Sequence, residues 1–173
     1  GEDSFTYQAS DGIETSDEAT ISIIISGWSR TFGGEDNDDA NSILQTSDGG
    51  YVLGGITSSF SENGLNDMYL VKTDADGNEE WSRTLGGPSR DTISSVFQTS
   101  DGGYILGGYT NSFGNGSVDM YLVKTDAVGN EEWSETYGGP NPDGAYSTIQ
   151  TSDGGYALGG LSENSANGNG NGD

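Results

Sequence analysis

Residues 45–81 read QTSDGGYVLGGITSSFSENGLNDMYLVKTDADGNEEW, and residues 98–133 repeat them almost unchanged as QTSDGGYILGGYTNSFGNGSVDMYLVKTDAVGNEEW. A third copy begins with QTSDGGYALGG at residue 150 and lacks the second half of the pattern. The anchors Gln45, Gln98 and Gln150 are spaced by 53 and then 52 residues. Self-similarity at a fixed period near 50 residues is the signature of a repeat architecture.

Each copy divides into four strand candidates, which in the first copy are residues 42–46, 51–57, 68–73 and 80–85. The tight turns SDGG and DADGN supply the positive-φ geometry that hairpins need. Four antiparallel strands with a longer middle loop at residues 58–66 are typical of one propeller blade. The sequence therefore predicts an all-β chain that forms a partial β-propeller of four-stranded antiparallel blades.

The domain organisation follows from the repeat boundaries. We expect an N-terminal hairpin at residues 1–26, propeller repeats at 27–161 and a flexible Gly/Asn-rich tail at 162–173. The copies are 28–80, 81–132 and a truncated third at 133–161, and residues 28–32 match an outer strand. About two complete blades plus parts fall below the usual four to eight. Either the polypeptide continues, or several chains assemble, or the blades form an open arc; we expect a piece of a longer protein.

The N-terminal stretch alternates apolar and polar residues around Phe5, Tyr7 and residues 19–25, with a hairpin turn at Asp11-Gly12. DSFTYQASDG followed by EATISIII resembles the last two strands of bacterial cadherin-like, immunoglobulin-like domains. The resemblance implies a multidomain surface protein in which such modules are strung together.

The blocks QTSDGGYxLGG, DMYLVKTDAxGNEEW and WSxTxGG resemble the propeller-type repeats of large secreted or cell-surface proteins of archaea and bacteria. This resemblance covers residues 28–161 and implies an extracellular or cell-surface location. It favours a non-enzymatic module for adhesion, assembly or ligand contact. Its partners would be other repeats or subunits of the same or a larger surface protein, with glycans as further candidate ligands. The alternative is a fragment of a propeller enzyme, hydrolase or quinoprotein-like, whose active residues lie outside this chain.

Composition excludes several function classes. The chain has 28 acidic and 5 basic residues, a formal net charge of −23, no His and no Cys. Nucleic acid is a poor partner because phosphate binding needs Lys and Arg patches. Without Cys or His there is no thiol nucleophile and no imidazole base or metal ligand. No run of 18 apolar residues predicts membrane insertion.

Several residues recur at equivalent places, and each has a structural interpretation. We predict that the tryptophans pack between blades, that the lysines pair with an acid, that the aspartates cap a turn, and that the glycine pairs allow close approach of a neighbouring blade. They are Trp28, Trp81 and Trp133, Lys72 and Lys124, Asp38, Asp91 and Asp143, and the pairs at 54–55, 107–108 and 159–160.

Acidic clusters suggest a calcium site, since oxygen ligands at every second residue around a glycine turn suit that ion. The candidates are Asp74, Asp76 and Asn78 in one cluster, and Asp36 and Asp38 in the other. Surface turns with unpaired acids are the other interpretation. A glycosidase-like carboxylate pair stays open, but no pair is singled out and no catalytic residue is predicted. Ligand contacts are expected where the copies differ, in loops 58–66 and 111–118 and at residues 35–39.

Overall fold

The computed structural model describes residues 2–7, 19–24, 27–62 and 65–163. Every regular element in these ranges is a β-strand, which confirms the all-β prediction. No helix that is long and apolar enough to cross a bilayer occurs in the described ranges. The strands are β1 (Glu2–Tyr7), β2 (Ala19–Ile24), β3 (Asp38–Gln45), β4 (Tyr51–Thr57), β5 (Asp67–Thr73), β6 (Glu79–Leu85), β7 (Asp91–Gln98), β8 (Tyr104–Thr110), β9 (Asp119–Thr125), β10 (Glu131–Tyr137), β11 (Asp143–Gln150) and β12 (Tyr156–Ser162).

The chain divides into two compact units, residues 1–30 and 31–173. In the first, β1 and β2 pair antiparallel, from Glu2 opposite Ile24 to Tyr7 opposite Ala19. The expected pairing of two N-terminal strands is therefore confirmed, while its predicted turn at residues 11–12 lies outside the described residues. The outer strand predicted at residues 28–32 is wrong, because residues 27–37 contain no strand. In the other copies the outer strand hydrogen-bonds to the third strand, and the third copy has no such strand within the described part.

The second unit contains three sheets in chain order. The first sheet has the order β3-β4-β5-β6, the second has the order β7-β8-β9-β10, and the third pairs only β11 with β12. All pairs are antiparallel and join consecutive strands. The four-stranded repeat and the truncated third copy are thus confirmed. Sheets that are consecutive in sequence also pack face to face. β4 of the first sheet contacts β7 of the second, and β8 of the second contacts β11 of the third.

Turn chemistry explains why the first two strands of each sheet form hairpins. Gly49 has φ of +89°, and its N–H donates to Thr46 O at 2.9 Å, while Thr46 N–H donates to Gly50 O at 2.9 Å. Asp48 Oδ1 also accepts from Gly50 N at 3.0 Å, so the side chain supports the turn. The same pattern recurs at Gly102 and Gly154, with φ of +88° in both. A left-handed φ is open to glycine at little cost, which is why SDGG recurs in all three copies.

The core lies between the first and second sheets. Fully buried apolar side chains from both sheets meet there, with Leu44, Trp81 and Leu85 packed at its margin. All seven residues of β5 are buried, as expected for a strand with both faces covered. Burial of apolar area at about 25 cal/mol per Å² makes this contact the main stabilising term of the unit. The core residues are Val52, Met68, Leu70, Ile93, Val96, Tyr104, Leu106, Tyr121 and Val123.

The two glycines of each pair do different work. A Cβ on Gly54 would lie 2.8 Å from Ile93 Cγ2 and even closer to Val96 Cγ2, both on the second sheet. A Cβ on Gly55 would instead meet the backbone carbonyl of Asp39 in its own sheet. There the pairing of β3 with β4 skips Asn41, forming a β-bulge. The prediction of close approach by a neighbouring sheet is confirmed for the first glycine of the first two pairs, Gly54 and Gly107, whereas the second glycine makes room for the bulge.

The bulge also explains why β3 begins at Asp38 rather than at the predicted residue 42. An extra residue in one strand shifts the alternation of side chains by one position, so the period of two fails across it. β4 has the predicted bounds, and β5 and β6 begin one residue earlier than expected.

Candidate functional site

The contact between neighbouring sheets is made by polar groups as well as apolar ones. Val96 N donates to Ser42 Oγ at 3.1 Å, so a serine of the first sheet holds the backbone of the second. In the opposite direction Ser47 N donates to Gln98 Oε1 at 2.8 Å. Asn41, which the bulge turns out of the pairing, donates through Nδ2 to Ile93 O at 2.8 Å.

The same contact occurs again between the second and third sheets. Thr148 N donates to Ser95 Oγ at 3.1 Å, and Ser100 N donates to Gln150 Oε1 at 2.9 Å. A Cβ on Gly107 would lie 2.9 Å from Thr148 Cβ, matching the position of Gly54 in the first contact. From the sequence, these serines and the anchor glutamines are ordinary residues of a predicted strand. Only their recurrence at the repeat period indicates a shared role.

Two of the three recurring tryptophans, Trp81 and Trp133, extend this contact outward, as predicted. The packing of Trp28, which belongs to the first unit, stays a prediction. Trp81 on β6 meets Tyr104 of the second sheet at 5.9 Å between ring centroids, and Trp133 on β10 meets Tyr156 of the third at 5.5 Å. The planes are inclined by 62° and 56°, an edge-to-face or tilted geometry that aromatic pairs favour. Arg83 lies over the Trp81 ring, 5.5 Å from its centroid.

Lys124 is buried, yet its ammonium group is fully partnered. Nζ lies 3.0 Å from Asp101 Oδ2 and 2.9 Å from Glu132 Oε2, and it donates to Thr125 O at 2.8 Å. Burial opposes the charge, but the two carboxylates outweigh it and raise the pKa of Lys124. The hydrogen bond from Thr99, followed by Gly103 N and Lys124, lowers the pKa of Asp101 to about 2.

Lys72 repeats this arrangement with Asp48 at 3.0 Å and Glu80 at 2.7 Å. The predicted pairing of the recurring lysines with acids is therefore confirmed. In each of the two four-stranded sheets the lysine links the first hairpin turn to the last one. A buried cation whose partners are complete is a structural element rather than a free reactive amine.

The recurring aspartates at the start of β3, β7 and β11 are acceptors for the turn before them. Asp91 Oδ2 accepts from Gly87 N at 2.8 Å and from Ser112 Oγ at 2.6 Å, and Oδ1 accepts from Thr110. Asp38 makes the equivalent bonds to Gly34 N at 2.8 Å, Ser59 Oγ at 2.7 Å and Thr57. Burial works against ionisation of Asp38, but these hydrogen bonds outweigh it and lower its pKa. The carboxylates thus cap turns, as predicted.

The candidate calcium ligands lie in two separate places. Asp74 accepts from Asp76 N at 2.9 Å, Asn78 N at 2.8 Å and Asn78 Nδ2 at 2.8 Å, so its oxygens close its own turn. The Asn78 amide, followed by its backbone N–H, lowers the pKa of Asp74. Asp36 and Asp38 line a small cleft of 220 Å³. Among the described residues no three acidic side chains converge in a way that could hold a metal ion. Calcium binding stays a prediction.

A larger cleft of 450 Å³ opens beside the loop that was expected to carry ligand contacts. Burial, then the charges of Asp91 and Glu62, raise the pKa of its Asp67 to about 6. The Phe60 ring, packed on Tyr69 at 5.4 Å between centroids, is half exposed at the cleft. A carboxylate beside an aromatic ring can accept hydrogen bonds from hydroxyl groups or attract a cation. The lining residues are Phe60, Glu62, Asp67, Thr84, Leu85, Gly86, Gly87 and Pro88.

The sequence identified only part of this cleft. Phe60 and Glu62 lie in the predicted loop, whereas Asp67 falls between that loop, residues 58–66, and the strand predicted at 68–73. The recurrence of Asp before the buried run MYLVKT was the available signal, since Asp119 is buried at the same position. The second copy has no acidic residue between Phe113 and Asp119, where the first copy has Glu62, so the two loops differ in charge.

No protein-family model matches the chain, and no curated protein matches it. The functional interpretation therefore depends on the geometry of the sheets and clefts.

Proposed function

We propose that the chain is a non-enzymatic repeat module of a secreted or cell-surface protein, that its sheets are consecutive blades of a β-propeller, and that it serves assembly and adhesion. The observation that carries this proposal is the contact between neighbouring sheets, which occurs twice with equivalent partners. A contact that repeats at the period of the sequence is what stacked repeats require.

The commitment of the recurring polar residues supports a non-enzymatic role. The ammonium groups of Lys72 and Lys124 are paired with acidic side chains. The carboxylates of Asp38 and Asp91 accept hydrogen bonds from the turns before them. A general base or nucleophile needs a group that is free to meet substrate. The residues that recur most strictly are therefore those that build the sheets.

The N-terminal strand pair and the acidic surface support a place outside the cell. The pair fits the end of a cadherin-like or immunoglobulin-like module that precedes the propeller repeats. A net charge of −23 keeps such a chain soluble and discourages contact with anionic surfaces. Its partners would be other repeats or subunits of the same or a larger surface protein.

Location is tested with antibodies raised against residues 65–163. We expect them to label intact cells that produce the protein, and protease added outside those cells should remove the signal. A cytosolic protein of the same cells, labelled only after permeabilisation, serves as the control. Labelling that needs permeabilisation would refute the surface assignment.

Glycan contact is the more specific part of the proposal, and the cleft at Asp67 supports it. A glycan array is probed with the wild-type chain and with Phe60→Ala, with Phe113→Ala at the equivalent place in the second sheet as the matched control. Signals that Phe60→Ala abolishes and Phe113→Ala retains are expected. An array without signals would remove glycan contact and leave the assembly role standing.

A further inference from the structure

The contact between neighbouring sheets is directional, because each sheet contributes a different half. The earlier sheet supplies a serine acceptor and the first glycine of the pair, Ser42 and Gly54 in the first contact. The later sheet supplies apolar side chains that fill the space over the glycine, Ile93 and Val96, and a glutamine acceptor, Gln98. One sheet can therefore carry both halves, on opposite faces.

The third sheet carries the earlier half, and no later sheet covers it within the part of the chain that the structure describes. Its residues Ser147, Ala157, Gly159 and Leu161, here called the exit face, correspond to those that meet the next sheet in the first two copies. Ala157, Gly159 and Leu161 are exposed. A Cβ placed on Gly159 would meet no atom within 4 Å, in contrast to Gly54 and Gly107.

The first sheet carries the later half. Ala40, Ile43 and Gln45, here called the entry face, occupy the positions of Ile93, Val96 and Gln98. All three are exposed, and 61% of Ile43 is accessible to solvent, whereas Val96 retains only 7%. The two equivalent residues that a preceding sheet covers, Val96 and Thr148, are both buried.

We propose that the exit face of one chain docks on the entry face of a second copy of the same chain. The inference rests on the proposed assembly role. Ile43 would fill the space over Gly159 of the preceding chain, and Gln45 Oε1 would accept from Ser152 N, as Gln98 accepts from Ser47 N. The occupant is a second copy because the two faces already fit each other twice within one chain. Such a head-to-tail contact generates a closed ring or an open filament.

Charge determines the conditions under which the docking is seen. Two chains that each carry −23 repel one another, and salt screens that repulsion. We expect association to strengthen as sodium chloride rises from roughly 0.1 M to roughly 1 M, where the Debye length falls to about 3 Å. Size-exclusion chromatography coupled to light scattering measures the mass of the assembly across a series of protein concentrations.

Two variants each disable one face. Ile43→Asp places a charge in the entry face, and Gly159→Val fills the space in the exit face. Each should weaken association about tenfold or more. Val128→Asp is the matched control, because Val128 is an exposed apolar residue away from both faces, at a turn position where the first sheet has Asp76. Gln45→Ala is a second, milder entry-face variant, should Ile43→Asp fold poorly.

Mixing the variants separates this docking from every symmetric contact. Ile43→Asp retains an intact exit face and Gly159→Val an intact entry face, so an equimolar mixture should form a one-to-one dimer that grows no further. A wild-type chain that stays monomeric throughout the concentration and salt series would overturn the proposal and leave the exit face to a partner of another kind. Association that the variants leave unchanged, or variants that fail to complement, would overturn it as well. Each of these failures is independent of where antibodies locate the protein.

Discussion

Two chemically identical substitutions should have opposite effects on stability, because only one of the two glycines has a neighbouring sheet over it. In Gly54→Ala the new methyl group would lie 2.8 Å from Ile93 Cγ2 and inside contact distance of Val96 Cγ2. Both neighbours are buried and β-branched, so they have little freedom to rotate away. In Gly159→Ala the methyl group meets nothing within 4 Å.

The magnitudes follow from two opposing effects. Overpacking a core by one carbon costs about 1–3 kcal/mol. Replacing Gly by Ala at a compatible backbone geometry stabilises by about 0.4–1 kcal/mol, since the unfolded chain loses freedom. Neither glycine has a positive φ, so both backbones accept alanine. We expect Gly54→Ala to lose about 1–2 kcal/mol and Gly159→Ala to gain up to about 1 kcal/mol.

Urea unfolding followed by tryptophan fluorescence measures both variants, at protein concentrations low enough that chains do not associate. An unchanged slope with urea shows that only stability has moved. Gly55→Ala and Gly160→Ala are the matched controls, because each would clash with a backbone carbonyl of its own sheet, Asp39 O or Gly144 O. Both should destabilise, wherever they lie in the array. Equal shifts for Gly54→Ala and Gly159→Ala would refute the role assigned to the first glycine.

Three further predictions concern charged groups. Lys124→Met should lower the free energy of unfolding by about 2–3 kcal/mol, which is less than for a fully enclosed pair, because its carboxylate partners are half exposed and regain water. Lys124→Arg keeps the positive charge and should lose only part of that stability. A Lys124→Met variant with unchanged stability would contradict the assigned role. Because the pKa of Asp67 is raised from 3.8 to about 6, its charge destabilises the folded state above that pH, and the cost disappears below the unfolded pKa. Asp67→Asn should therefore stabilise by up to about 3 kcal/mol at pH 7.5 and by nothing below about pH 4; a gain that does not depend on pH would contradict this explanation. For the calcium candidates around Asp74 and Asp38, melting temperature in calcium against chelator is decisive, and no shift would sink the prediction.

Local chemistry made much of the fold predictable from sequence. Turns such as SDGG need glycine at a left-handed φ, and β4 lies between that turn and the polar loop at residues 58–66, so its bounds were predicted correctly. The lysine in YLVKT was expected to pair with an acid because a cation that follows a buried run must be compensated. These signals lie within a few residues of the structure they determine.

What could not be predicted depends on residues far apart in sequence. The bulge at Asn41 breaks the alternation, and the role of Gly55 follows from that bulge rather than from a neighbouring sheet. The cleft at Asp67 brings Glu62 beside residues 84–88, and the charge of Asp91 acts on Asp67 from the next strand; the pattern of one repeat does not place these residues together. Residues 28–32 carry an outer-strand pattern, but an outer strand pairs with the third strand of its sheet, and the described part of the third copy has no third strand.

Because neighbouring sheets cover the three sheets to different extents, their strands should open locally at different free energies. The second sheet is packed on both faces, by β4 and β5 on one side and by β11 on the other, whereas β12 is largely exposed. Amide hydrogens of β8 and β9 should thus exchange only when the whole unit unfolds, and those of β12 should exchange through local fraying. In stacked repeats the stability of each sheet depends on its contacts with the neighbouring sheets. A chain docked at the exit face would then slow exchange in β12 before it changed anything elsewhere.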